Sequence, residues 1–395
     1  MNAFERNITI IKANSGLMWG RFFIPVIALF YIASQVSLAQ FTIIMSVFAL
    51  ATLVLEIPSG VIADLVGKKN TLILSRLMYL IEIYLIAFHN GFWVFLIAKI
   101  ISGVGVSLSS GTSQAILYDS LKRLNKTSEH KKISGIVMMI GNISMAVVFI
   151  VGSYLFSINN KLPAIASLPI VFIGFVLTFF MKEPYPSGKS VDWKSYFAHF
   201  KSGLYYFWKH KRLRFLAFYS LPIITGTTIF LSMSSAYLEA VAIPIAIIGF
   251  VAAISALITA YTSKKAYILE EKLGEQKSLR IVEIGTVLGI LIGGFLIPYI
   301  GVLAYFIIAF SVGFFQIIVN DYINKQVMSS HRATILSINN MFGNVGIFII
   351  FPFIGHLSEL KNIGFSYFVF VGIIVLYILT LHFYIRISRK AVSPV

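Results

Sequence analysis

EIPSGVIADLVGKKN, residues 56–70, is the stretch on which the fold turns. Glu56, Asp64, Lys68 and Lys69 share it with Pro58, Gly60 and Gly67, and apolar runs lie on both sides. A polar knot between two such runs reads as a tight joint between membrane-crossing helices. The composition around it agrees. The chain has 395 residues, 58% hydrophobic and only 12% charged, with a mean hydropathy of +0.88. A water-soluble chain of this length could not hide so much apolar surface, so lipid is its natural solvent. A net charge of +17 taken alone would suit nucleic acid, but the basic residues are scattered between apolar spans and form no patch. There is no cysteine, which excludes disulfides and thiolate metal sites.

Working outward, a helix needs about 20 mainly apolar residues to cross the hydrocarbon core. Twelve segments qualify, near 15–38, 41–63, 71–89, 92–120, 133–156, 163–181, 213–237, 243–263, 281–299, 301–321, 335–356 and 364–386. They are apolar all round, whereas barrel strands alternate, so the expected class is an all-α membrane protein with twelve transmembrane helices. The opening residues, MNAFERNITIIKANSGLMWGRFF, lack the apolar stretch and cleavage site of a secretory signal and read as a cytoplasmic leader into the first span. Lysine and arginine set the direction. Of the 32, 27 fall in the termini and even-numbered loops, and only Lys161 and Lys361 in odd-numbered ones. Both termini and the long middle loop are therefore expected in the cytoplasm, with the protein in a bacterial inner membrane.

The middle loop, roughly 182–212, separates two expected bundles, 1–182 and 212–395, through a linker at 183–211. Within it Trp193, Phe197, Phe200, Leu204 and Trp208 recur at helical spacing, with Lys194, Lys201, Lys209 and Lys211 alongside. A basic amphipathic helix with aromatic anchors suits the membrane interface, as a tether between the halves or a lipid-recognition element. The halves also echo each other. Asp119 and Gly141-Asn142 return as Asp321 and Gly343-Asn344, both displaced by 202 positions. GVIADLVGKKN aligns more faintly with YILEEKLGEQK at 267–277, Glu271 matching Asp64 and Gly274 matching Gly67. Two six-helix bundles of parallel descent, related by an axis along the membrane normal, are one of the transporter designs.

With these features assembled, GVIADLVGKKN resembles the loop 2–3 signature of the major facilitator superfamily, Gly-x-x-x-Asp-x-x-Gly-Arg-Lys. Gly60, Asp64, Gly67 and Lys69 match, and Lys68 stands for the usual arginine. The resemblance covers essentially the whole chain and implies two pseudo-symmetric six-helix bundles that rock about a cytoplasmic latch. In that latch the aspartate is implied to meet the N-terminus of span 11, where free N–H groups and the positive dipole end favour an anion. Lys122 and Arg123 are candidate cationic partners, Lys68 and Lys69 could face Asp119, and Asp321 stands at the repeat of that place. The plainer reading is a solvated turn with topology-setting lysines. The resemblance also implies that spans 1, 4, 7 and 10 line the cargo cavity, where Tyr31, Gln35, Gln114, Tyr118, Tyr219, Thr225, Gln316 and Asn320 are the polar or aromatic candidates.

Charges at membrane depth face a cavity or one another. Lys99, in AKIISGVGVS, resembles the family's span 4 pattern Arg-x-x-x-Gly-x-Gly, with Gly103 and Gly105 matching and lysine for arginine. That arginine is associated with proton coupling. At 1.5 Å per residue, Glu82 of span 3 lies within about 5 Å of Lys99 in depth, so the two are expected to pair, either as a protonatable couple or as a structural ion pair. Arg21 is expected to pair with Glu56. Arg76 and Glu283 lie near inner ends, where snorkelling to the surface is expected, and Glu239, Glu359, His89 and His356 fall at outer ends in solvent.

No Walker-type loop appears, so ATP is not the direct driver, and no ligand cluster suggests a metal. The expectation is a non-enzymatic, cofactor-free, monomeric secondary transporter that moves a small organic molecule, coupled to protons and working as an efflux antiporter. A metabolite, siderophore or sugar importer and a lipid flippase are the alternatives.

Overall fold

The computed structural model describes residues 2–185, 193–327 and 332–390. Among these the chain is helical throughout, with no strand. Sixteen α-helices follow in order: α1 (Ala3–Leu17), α2 (Ile27–Ala33), α3 (Leu38–Val66), α4 (Lys68–Phe88), α5 (Phe92–Ser109), α6 (Thr112–Arg123), α7 (His130–Ile158), α8 (Leu162–Phe179), α9 (Trp193–Lys209), α10 (Lys211–Ser232), α11 (Ser234–Ala240), α12 (Ile245–Leu273), α13 (Glu275–Gly294), α14 (Ile300–Gln326), α15 (Arg332–Leu360) and α16 (Ile363–Lys390). Among the described residues ten segments are long and apolar enough to cross a membrane, α5 and α6 counting together as one.

The remaining two expected spans, the first and the ninth, differ for physical reasons. Span 9 is α13, whose opening turns carry Glu275, Lys277, Arg280 and Glu283. Span 1 is not continuous. Its helix stops at Leu17 and resumes through a 3-10 turn over Ile24–Val26 into α2. The break is held by close approach: a Cβ at Gly152 of α7 would overlap the carbonyl oxygen of Phe22, and the Phe22 amide donates to Ser167 Oγ at 2.9 Å. The opening residues are themselves helical and packed. Asn2 caps α1 in a capping box with Glu5, and Ile8, Ile10 and Ile11 pack with Leu72, Ile116, Leu117, Leu121, Ile133 and Met181. Asn7, fully buried, donates to Ser120 Oγ and the Lys182 carbonyl. Residues 3–17 thus belong to the bundle.

The chain divides into two compact units, residues 1–196 with 244–253, and residues 197–243 with 254–395. In the first unit α5 packs between α3 and α4 on small residues. A Cβ at Gly103 would lie 3.0 Å from that of Ala51, and one at Gly105 3.2 Å from the Ser75 carbonyl, the close approach by which helices associate in lipid. Ser75 Oγ clamps the seam by donating to the Gly105 carbonyl at 2.7 Å. In the second unit Thr259 and Ser263 of α12 donate to the carbonyls of Ala309 and Gly313 on α14, both at 3.0 Å.

The basic amphipathic helix exists as α9, and the described part of it packs on the second unit through residues beside the expected stripe. Phe207 is buried in the second unit's core with Leu204 against it, Gly203 abuts Thr334, and Trp208 is turned outward, 51% exposed. The Tyr206 hydroxyl donates to the Gln326 carbonyl at 3.2 Å. The side chains of Trp193, Phe197 and Phe200 lie outside the described residues.

Candidate functional site

The break in span 1 places a charge inside the first unit. Arg21 sits in the gap between α1 and the 3-10 turn, its Nη1 3.8 Å from Glu82 Oε2 on α4. The other oxygen, Oε1, accepts from Lys99 Nζ of α5 at 2.7 Å. Glu82 has no exposed surface and Lys99 is 5% exposed. The Glu82–Lys99 pair expected from depth is therefore formed, and the ion pair described for Arg21 is with Glu82; Glu56, the partner expected for it, is half-buried on α3. Lys99 Nζ also lies over the rings of Phe23 and Phe48, at 5.8 and 5.5 Å. Removing two ions from water costs several kcal/mol each, and the loss is regained only when the geometry is close and the partners are hydrogen-bonded.

Arg76 departs from expectation. It does not snorkel: it is 4% exposed, and its Nε and Nη1 are buried with no hydrogen-bond partner. Its guanidinium and that of Arg21 both face the Tyr79 ring, at 6.0 and 5.1 Å. The helix face was misread, because α1, α6 and α7 close over it around a shared cavity. Glu283 likewise is buried to 9% exposure, with His382 Nε2 3.8 Å away. Glu239, Glu359, His89 and His356 are exposed as expected.

At the joint between α3 and α4, Gly67 takes φ 90°, ψ 148°, a left-handed conformation that glycine reaches without a Cβ clash. Its faint twin Gly274 does the same between α12 and α13, at φ 72°, ψ 166°. Lys68 Nζ meets the Asp119 carboxylate of α6. Sequence reasoning missed Glu183. Its carboxylate accepts from the amides of Lys68 and Lys69, at 3.2 and 2.8 Å, closing the bare N-terminus of α4 where an anion is favoured. The only signal was an acid directly after span 6, one of two in the polar run that follows it. Arg123, expected near Asp64, instead donates to the Pro184 carbonyl at 2.8 Å and stacks over Tyr185 at 4.7 Å. Asp64 is exposed on the last turn of α3, as is Gly60 one turn before; Lys122 is exposed on α6, and Lys69 is half-buried. Asp321 pairs along its own helix with Lys325 at 2.6 Å.

Of the cavity candidates, Gln114 and Tyr118 share an exposed face of α6, and Gln316 and Asn320 share one of α14. The displacement of 202 that relates Asp119 to Asp321 relates these pairs too. Gln114 Oε1 accepts from Ser134 at 3.5 Å, and Tyr118 meets His130 edge-on. Others are packing groups. Tyr31 is fully buried among Phe30, Phe41 and Phe95, Tyr219 donates to the Leu279 carbonyl at 2.7 Å, and Thr225 donates to the Gly343 carbonyl at 3.5 Å. Gln35 is exposed in the turn between spans 1 and 2 at φ 64°. Among the described residues no group of three or more His, Cys, Asp or Glu could hold a metal ion.

A helical chain with ten strongly apolar spans and charges buried at depth is an integral, multi-pass membrane protein. The family model of the Major Facilitator Superfamily matches residues 13–351, and the chain belongs to that superfamily, whose members are transporters rather than enzymes. Among solved structures it is similar to the nucleoside transporter NupG, with TM-score 0.80 and 14% identity over 97% of this chain and 98% of that one. It is also similar to a bacterial homolog of the human lysosomal transporter Spinster, with TM-score 0.71 and 16% identity over 98% and 96%. A POT family transporter gives TM-score 0.72 and 13% identity over 99% and 96%. At these identities the likeness is one of fold. No curated protein matches the chain.

Proposed function

We propose that this protein is a proton-coupled secondary transporter of a small organic molecule, working by alternating access from a bacterial inner membrane with both termini in the cytoplasm. One observation carries the reading: the fully buried Glu82 carboxylate shared by Lys99 and by Arg21 at the break of span 1. Protonating Glu82 removes the anion that two buried cations share, so the protonated and unprotonated forms favour different arrangements of α4, α5 and the broken span. A change of protonation then shifts the conformational equilibrium by the difference in interaction free energy. Buried ionisable residues in transporters serve as proton relays for this reason. Within the first unit the cargo contacts we assign are Gln114 and Tyr118 on α6, which are uncharged and suit an amphiphilic or weakly charged molecule; Gln316 and Asn320 are their counterparts on α14 of the second unit. The joint at Gly60, Asp64 and Gly67 serves as the latch, kept rigid by Lys68 on Asp119 and by Glu183 on α4.

The test is transport by purified protein in liposomes under an imposed pH gradient of either sign. The panel includes dyes, drugs, sugars and, since NupG is a nucleoside transporter, nucleosides. Gradient-driven flux of at least one compound is expected, and Glu82→Gln should retain binding while losing the response to the gradient. Flux indifferent to pH in the wild type, or a full response in the variant, refutes the coupling role.

A further inference from the structure

A second feature of the first unit is left unused by that reading. Around Tyr79 and Glu82 three cations, Arg21, Arg76 and Lys99, accompany a single paired carboxylate. Lys99 and Arg21 are matched to Glu82, whereas Arg76 is matched to nothing: its guanidinium makes no hydrogen bond or ion pair among the described residues, and two of its nitrogens are sealed from solvent. An unpaired cation buried at this depth is costly, and a guanidinium is not relieved by losing its proton. Arg76 also lines a cavity of about 140 Å³ between α1, α4, α6 and α7, with Asn14, Ser15, Ser113 and Gln114 as its other polar members. Asn14 is 5% exposed and its Oδ1 too lacks a partner. That volume is room for several water-sized groups. No acidic side chain lines it.

We propose that this cavity is a binding site for a small oxyanion, a carboxylate or phosphate group, held by the Arg76 guanidinium with a hydroxyl donor from Ser113; the Ser15 hydroxyl already donates to the Lys12 carbonyl at 2.7 Å. Planar guanidinium donors match such groups in a two-pronged geometry, and an anion here would supply the charge that the protein does not. The occupant is either a soluble anion or the phosphate of a lipid headgroup, and the chemistry of recognition is the same for both. The site shares Gln114 with the cargo face proposed above, but it stands apart from the Glu82–Lys99 couple and does not depend on the coupling role.

The experiment measures thermal unfolding of the full-length protein, with no transport involved. In one arm the protein is held in neutral maltoside detergent and titrated with sodium phosphate or sodium acetate against sodium chloride at equal ionic strength. In the other it is moved from phosphatidylcholine to phosphatidylglycerol nanodiscs. At tenfold excess over Kd a rise in Tm of about 2 °C is expected, in the first arm for a soluble anion and in the second alone for a lipid headgroup. Arg76→Met, which removes the unmatched charge while keeping the bulk, should unfold at or above the wild-type temperature and show no rise in either arm. Ser113→Leu, which keeps the charge and narrows the cavity, should also lose the rise. The proposal is overturned if neither arm stabilises the wild type, or if the rise persists in Arg76→Met as adventitious surface binding would. It is overturned as well if Arg76→Met lowers the unfolding temperature, marking the guanidinium as part of the fold's own packing.

Discussion

Replacing Glu82 by glutamine keeps the shape of the side chain and removes its charge. Lys99 Nζ lies 2.7 Å from one carboxylate oxygen and Arg21 Nη1 3.8 Å from the other. At an effective dielectric of about 20 these contacts correspond to roughly 6 and 4 kcal/mol of Coulomb attraction. Little of this is net stabilisation, because all three ions were stripped of water. What the variant exposes is the uncompensated cost, since removing one member of a buried pair destabilises by about 3–5 kcal/mol. Against a total stability of about 5–15 kcal/mol, that is a fall in Tm on the order of 10 °C. The double variant Glu82→Gln with Lys99→Met should recover most of the stability, because the cation left unpaired is gone. The assay is tryptophan-fluorescence melting in detergent between pH 6 and 9. A Glu82→Gln melting point within 2 °C of wild type at every pH (about 1 kcal/mol or less), or a double variant no better than the single one, would refute the argument that this carboxylate balances the two cations.

Other outcomes follow from single contacts. Gly152→Ala should cost about 1–3 kcal/mol or more, because its Cβ would overlap the Phe22 backbone at the break in span 1; Gly135→Ala on the same helix meets nothing within 4 Å and should be neutral or slightly stabilising. Equal melting points for the two would remove the packing account of the break. Glu183→Ala should lose about 1 kcal/mol, read most directly as faster hydrogen exchange at the amides of Lys68 and Lys69; unchanged exchange there would show that the carboxylate does not cap α4. Asp64→Asn should shift the inward/outward balance, measured by accessibility labelling of single cysteines introduced on the two faces, and an unaltered labelling pattern with unaltered transport would end the latch proposal.

How far the site could be read from the chain is clearest by comparing particular residues. The Glu82–Lys99 pair was legible because depth in a membrane helix is nearly linear in residue number, and two antiparallel neighbours joined by a short turn must bring equal depths together. Gly67 was legible because a glycine between two helices ahead of a basic pair has few other uses, and its faint twin Gly274 shares its left-handed backbone. Arg76 was misread because depth says nothing about which side of the helix other helices will cover. Arg21 was assigned to Glu56 because the segment was taken as continuous, when its break turns the side chain toward α4. On α9 the recurrence of aromatics was real, but two overlapping stripes fit it, and only packing against the second unit chose Phe207 over Trp208.

Composition and spacing were enough to establish a lipid-embedded bundle of helices, and the resemblance of GVIADLVGKKN to a family signature pointed to its superfamily, because hydrophobic length, loop charge and a short motif are properties of the chain in one dimension. The unmatched Arg76, the carboxylate shared by two cations and the cap from Glu183 needed three dimensions. Each arises where segments far apart in sequence converge, and whether a buried charge is balanced depends on every neighbour that has displaced water from around it.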